Sequence, residues 1–314
     1  MKLMKSGSPV AVDLFAGVGG TSEGARLAGV HVKWAANHWP LAVHYHQVNH
    51  PHVDQHACQD VHQANWSAVP AHDIQLASPA CTGHSPARGK DLPHHDTMRS
   101  TAWAVVSCAE YHRSEVVVVE NVKAFASAWA LYPAWEDAMR RLGYSIAPHV
   151  VDAADHGVPQ HRERLFLVCT RSRTPLQLRL PRRERKPVAD VIQWDAGKWS
   201  TIDKPGRSSN TLKRVAAGRA AFGDRHVAPF YGSGSGLTGR SIDRPIGTLT
   251  TRDRWAVIDG NRMRMLNVAE AKAVMGLRDS YELPANHKAA MHMLGNGVCP
   301  PVICDLLNAL QAAA

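Results

Sequence analysis

The sequence predicts an α/β fold: a doubly wound, mostly parallel sheet with a second, smaller domain attached. Three observations predict it. Apolar runs that read as buried strands alternate with helical stretches through the first 170 residues. A glycine-rich turn, Ala16-Gly17-Val18-Gly19-Gly20, joins the first such run to its helix. Beyond Thr170 the texture changes: Arg171, Arg173, Arg179, Arg182, Arg183, Arg185 and Lys186 crowd one stretch, and Gly, Ser and Pro punctuate the chain after it. The expected division is a sheet domain of 1–170 plus 290–314 and a small domain of 171–289, with the basic texture running from 171 to about 265.

The elements come in order. Val10-Ala11-Val12-Asp13-Leu14-Phe15 reads as a short buried strand, and a helix over 21–28 is closed by Gly29. A second strand, 30–36, stops at Asn37-His38-Trp39-Pro40 and a helix over 41–48 comes next. Asp73-Ile74-Gln75-Leu76-Ala77 is a strand that delivers Ser78-Pro79-Ala80-Cys81 at its carboxyl end, where open α/β sheets keep their chemistry. After a helix over 99–111, Val116-Val117-Val118-Val119 runs into Glu120-Asn121-Val122. The strand Arg164-Leu165-Phe166-Leu167-Val168 is preceded by Gln160-His161-Arg162-Glu163. Thiol, carboxylate and guanidinium are thus expected on one rim. The basic region holds a weak internal echo, Ser200-Thr201-Ile202-Asp203-Lys204-Pro205 against Arg240-Ser241-Ile242-Asp243-Arg244-Pro245, each with a Thr-Leu pair after it. Asn267-Val268-Ala269-Glu270 has the form of a capping box, and Gly295-Asn296-Gly297-Val298-Cys299-Pro300-Pro301 leads into a last helix.

The 314 residues are 45% hydrophobic and 20% charged, a globular rather than disordered composition. No apolar run approaches the roughly 20 residues of a membrane span, and Met1-Lys2-Leu3-Met4-Lys5 lacks a signal-peptide core, so a cytoplasmic protein is expected. The six cysteines form no Cys-x-x-Cys pair, which argues against a zinc knuckle and a secreted disulfide framework; five are expected to be plain thiols. A formal charge of +9 favours a polyanionic partner.

The glycine loop lets backbone approach a ligand at a helix N-terminus with its partial positive charge. Its spacing matches neither the dinucleotide nor the Walker pattern, and a tight turn would look the same; with Asp13 beside it and Asp60-Val61 one unit on, an adenosine-bearing cofactor is expected. Cys81 is read as a nucleophile, since Arg88 and Lys90 lie near it in sequence and would favour its thiolate, although a lone thiol is often inert.

These segments, taken in order from residue 12 to residue 302, resemble the DNA cytosine-5 methyltransferase family. The matches are Asp13 to Gly20 with the first cofactor motif, Cys81 with the nucleophile loop, Glu120-Asn121-Val122 with the acid motif, and Gln160 to Arg164 with the arginine motif. Arg264-Met265-Leu266 to Gly276 and then Gly295 to Val298 match the last two. The resemblance implies a Rossmann-like methyltransferase fold with S-adenosyl-L-methionine as cofactor. It implies Cys81, Glu120, Arg162 and Arg164 as catalytic residues. Cofactor binding falls to Phe15, Gly17, Gly19, Gly20, Asn37, His38, Trp39, Asp60, Val61, Pro79, Asn296 and Val298, and contact with double-stranded DNA to Ser85, Arg88, Arg99, Arg240 and Arg252. No metal is implied. A cognate restriction endonuclease is an expected partner, and the enzyme is expected to act as a monomer.

The chain departs from the family pattern in places. Pro79 stands one position early and Ala80 intervenes before the cysteine, which leaves that loop freer; Thr82 and His84 replace a glutamine and an aromatic residue, while Ser85 is kept. His38 stands where a glutamate usually accepts the ribose hydroxyls, and imidazole accepts one hydrogen bond only when neutral. Alternatives that stay open are a tRNA cytosine-5 methyltransferase, use of a modified S-adenosylmethionine donor, and a non-catalytic DNA-binding relative.

Overall fold

The computed structural model describes residues 8–80, 101–231 and 236–313. The chain forms two compact units: one of Met1–Asp152, Glu163–Pro181 and Val298–Ala314, the other of Ala153–Arg162 and Arg182–Gly297.

The first unit is built on a seven-stranded sheet, with β1 Val10–Leu14, β2 His31–Asn37, β3 Gln55–Cys58, β4 Ile74–Ala77, β5 Val116–Asn121, β6 Ser145–Asp152 and β7 Glu163–Thr170. Their order is β3-β2-β1-β4-β5-β7-β6. The first five are parallel, as the strand–helix alternation predicts, and β7 runs antiparallel to both β5 and β6. Every residue of β4 and β5 is buried, which explains why these strands read as continuous apolar runs instead of alternating ones. Because β7 is reversed, its beginning lies beside the end of β5: Asn121 is opposite Leu165 and Glu120 opposite Phe166.

Helices cover both faces. Alternate residues of β1 point to opposite sides. On one side the buried Asp13 meets Ser22 of α1 (Gly20–Leu27), and α1 packs on the last helix of the chain, Pro300–Ala312. Gly20 and Gly24, one helical turn apart, permit that approach: a Cβ on Gly20 would lie 2.1 Å from the Val298 carbonyl oxygen, and one on Gly24 would lie 2.5 Å from Ile303 Cβ. On the other side Val12 and Leu14 join a core with Trp135, Phe125 and Met139, fed by α3 (Ala102–His112). The helix after β2, α2, spans Pro40–Asn49.

The smaller unit holds a four-stranded antiparallel sheet, β8-β11-β10-β9, made of β8 Ser200–Thr201, β9 Arg225–Pro229, β10 Trp255–Asp259 and β11 Arg262–Met265. Its core is Ile202, Val215, Ala228, Ala256, Ile258 and Met263. The capping box at Asn267 is formed, with the Asn267 side chain accepting the Glu270 N–H and Glu270 accepting the Asn267 N–H, each at 2.8 Å. Glu270 also receives both terminal nitrogens of the buried Arg264, at 2.7 and 2.6 Å. The internal echo is not structural, since Thr211-Leu212 lies inside the helix Ser209–Phe222 whereas Thr248-Leu249 lies in irregular chain.

One described stretch, His287–Ala312, passes for a membrane span by length and composition, but 67% of its apolar window is buried in the protein. It is in fact two helices, His287–Asn296 and Pro300–Ala312. Burial pushes the Cys108 thiol up to about 12 and raises that of Cys169 as well, as expected of plain core thiols.

Candidate active site

The carboxyl ends of β1, β4 and β5 and the start of β7 form one rim of the larger unit. At β5 the buried Glu120 meets Arg164, whose Nε lies 3.2 Å from Glu120 Oε1. Arg164 also donates from Nη1 to the Glu163 carbonyl at 2.8 Å. The next residue, Asn121, donates from Nδ2 to the Pro79 carbonyl at 3.1 Å, tying the end of β4 to the end of β5. Ala80 N–H donates to Thr101 Oγ1 at 3.2 Å. Cys81, Ser85, Arg88 and Arg99 lie outside the described residues.

At β1 the chain leaves the strand through Phe15, which has a positive φ of 63°, and the loop continues with Gly17 at φ 56° and Gly19 at φ 104°. Positive φ costs glycine little and other residues more, so the loop shape accounts for its composition. A Cβ added at Gly17 would have the Phe15 carbonyl oxygen, 4.0 Å away, as its nearest neighbour, which leaves room for a ligand at the N-terminus of α1. Gly20 packs against the Val298 backbone. Behind the loop Asp13 is fully buried; Ser22 Oγ donates to its Oδ2 at 2.7 Å and lies 3.0 Å from His46 Nε2. Desolvation pushes Asp13 up to about 7, although the Ser22 hydrogen bonds pull the other way. Asp13 therefore braces the loop and does not face the rim.

At β2 the Asn37 side chain accepts the Trp39 N–H at 2.9 Å, and His38 is exposed. At the end of β3 the exposed Asp60 accepts the His62 N–H at 3.0 Å, whereas Val61 is buried in the core. Open glycine backbone at a helix start, with exposed acceptors at the ends of neighbouring strands, fits an adenosyl cofactor lying across these strand ends.

In the smaller unit Arg162 is buried and donates to three main-chain carbonyls: Leu249 at 3.1 Å, Gly295 at 2.9 Å and Gly297 at 2.7 Å. Gln160 works beside it, accepting the Leu249 N–H at 2.7 Å and donating to the Val274 carbonyl at 3.1 Å. Asn296 Nδ2 lies 3.1 Å from His292 Nε2. Arg240 and Arg252 are exposed.

The C-5 cytosine-specific DNA methylase model matches residues 10–312. The chain belongs to that family. It therefore transfers a methyl group from S-adenosylmethionine to C5 of cytosine in DNA. Similar proteins include the type II methyltransferase M.NlaX of Neisseria lactamica, 26% identical over 321 residues that cover 96% of each chain. M.HhaI of Haemophilus parahaemolyticus is also 26% identical, covering 96% of this chain and 92% of that one. Among solved structures, a triple mutant of Spodoptera frugiperda DNMT2 superimposes with a TM-score of 0.72 at 16% identity, covering 97% of this chain and 100% of the other.

Asn121, Thr101, Ser22 and Gly24 carry structural duties at this methylase site that sequence patterns alone do not assign. Gly24 had a signal, its four-residue spacing from Gly20. The hydroxyls had none, because their partners are distant in sequence.

Proposed function

We propose that Cys81 is the nucleophile of this DNA cytosine-5 methyltransferase, with Glu120 and Arg164 holding the target base. The supporting observation is the Glu120–Arg164 pair at 3.2 Å on the rim where Asn121 fixes Pro79, two residues before the cysteine. The Cys81 thiolate adds to C6 of the cytosine, and the ring electrons move toward C5. Glu120 hydrogen-bonds N3 and so eases that addition, while Arg164 holds O2. When bound, S-adenosylmethionine supplies an electrophilic methyl group on its sulfonium for C5. Water takes the C5 proton, the C–H electrons re-form the C5–C6 double bond, and the carbon–sulfur bond breaks to return the thiolate.

Phe15, Gly17, Gly19, Asn37, His38, Trp39 and Asp60 are the residues proposed to hold the cofactor, with His38 taking a ribose hydroxyl. His38→Glu is then expected to tighten cofactor binding in calorimetric titration. Stacked bases cannot reach a thiol, so the cytosine must leave the duplex at a cost of about a few kcal/mol. The smaller unit, with Arg240 and Arg252 at its surface, is proposed to grip and read the duplex. The type II names of the relatives support a restriction–modification setting with a cognate endonuclease. A monomer acting in the cytoplasm completes the reading.

The test is covalent trapping on duplex DNA carrying 5-fluorocytosine, whose C5 fluorine cannot leave as a proton does. With S-adenosylmethionine present, a denaturation-resistant protein–DNA adduct is expected, and none with Cys81→Ala. An adduct formed equally by Cys81→Ala would overturn the assignment.

A further inference from the structure

The residue directly before Cys81 is Ala80, and its N–H donates to Thr101 Oγ1 at 3.2 Å. Thr101 stands immediately before α3 with helical backbone angles, φ −55° and ψ −27°, and its side chain makes no capping bond to the first turn. Its hydroxyl oxygen accepts the Ala80 N–H, a link between residues 21 positions apart in sequence. The mount is rigid: Trp135, fully buried, donates from Nε1 to the Ala102 carbonyl at 2.9 Å, and Ala102 is itself buried.

A proline at position 80 would have a ring-fixed φ and no N–H. Alanine has neither restraint, but it has a donor. We propose that Thr101 is a positioning residue for the methyl transfer: by accepting the Ala80 N–H it orients the peptide that leads into Cys81 and supplies the restraint that Ala80 lacks. The proposal rests on the reading of Cys81 as nucleophile.

The test compares Thr101→Val, which keeps the shape and removes the acceptor, with Thr101→Ser, which keeps the acceptor. The rate of adduct formation with 5-fluorocytosine duplex is measured at saturating DNA and S-adenosylmethionine, together with KM for each and the thermal midpoint. Thr101→Val is expected to slow adduct formation about 10-fold with both KM values unchanged, since small misplacements of a reacting group are costly. Thr101→Ser recovers most of that rate. Adduct formation by Thr101→Val at the original rate, or Thr101→Ser as slow as Thr101→Val, overturns the proposal. Should Thr101→Val melt early, the comparison is repeated in an Ala80→Pro background, where no N–H remains to be accepted. There the threonine-to-valine change is expected to have no effect on rate, and a persisting loss of about 10-fold overturns the proposal. Cys81→Ala runs in parallel: if it still forms adduct the nucleophile reading fails, whereas a silent Cys81→Ala beside an unimpaired Thr101→Val condemns the Thr101 role alone.

Discussion

Glu120 carries the most direct residue-level expectation. Glu120→Gln keeps the shape and a polar group facing Arg164 but removes the acid, and methylation should slow by about 10²-fold or more, read as single-turnover product formation. Asp13 gives a pH signature of a different kind. Its folded-state value of about 7 stands above the ordinary 3.8, so the folded protein holds a proton that the unfolded chain releases. The stability linked to that proton is present below about pH 4 and is lost as pH rises to about 7. Asp13→Asn, measured as thermal midpoints from about pH 5 to 8, should therefore gain on the original protein as pH rises; a pH-independent difference would contradict the assignment. His72, lowered to about 4 by burial, works in the opposite sense and contributes acid destabilisation between about pH 6.5 and 4. The sequence revealed Asp13 as a neighbour of the glycine loop but not its burial, because Ser22, itself in contact with His46, meets it only after folding.

At the scale of elements, β1, β2, β4 and the two helices between them in the first 80 residues were legible from apolar runs and glycine punctuation, with boundaries moved by a residue or two, whereas β3, Gln55–Cys58, is too short and too polar to form an apolar run and was not expected. Phe15 shows why: it looks like the last residue of a strand, yet its φ of 63° ends β1 at Leu14. The direction of β7 was not legible, since an apolar run such as its buried stretch from Leu165 to Thr170 has the same composition either way up. That reversal brings Arg164 to Glu120. Helix packing yields a test at Gly20, where a methyl group would fall 2.1 Å from the Val298 carbonyl oxygen. Gly20→Ala should cost about 1–3 kcal/mol, read by denaturant unfolding. The capping box was visible at Asn267, but the second duty of its Glu270, neutralising buried Arg264, was not. Removing one member of such a pair costs about 3–5 kcal/mol, so Glu270→Ala should unfold the smaller unit first, seen as early loss of amide protection there.

For the whole molecule, the ordered motifs across the chain pointed to the family; the texture changes near Thr170, whereas the chain enters the smaller unit again only at Arg182, so Arg171, Arg173 and Arg179 fall in the larger one. The target sequence was not legible, because base readout depends on a few side chains in irregular segments. The arginine-rich stretch gives a collective prediction: truncating Arg173, Arg179 and Arg182 together with Arg240 should flatten the salt dependence of DNA binding by about 0.9 in log–log slope for each phosphate no longer neutralised. Arg185 should matter less, being paired with Asp155 at 2.7 Å. An unchanged slope would make the stretch a solvated surface. The most direct test of the central claim is nucleoside mass analysis after incubation with S-adenosylmethionine and either mixed-sequence duplex DNA or tRNA. The account predicts 5-methyl-2′-deoxycytidine from the DNA, absent with Cys81→Ala; methylation of tRNA alone, or methylated DNA cytosine from Cys81→Ala, would contradict it.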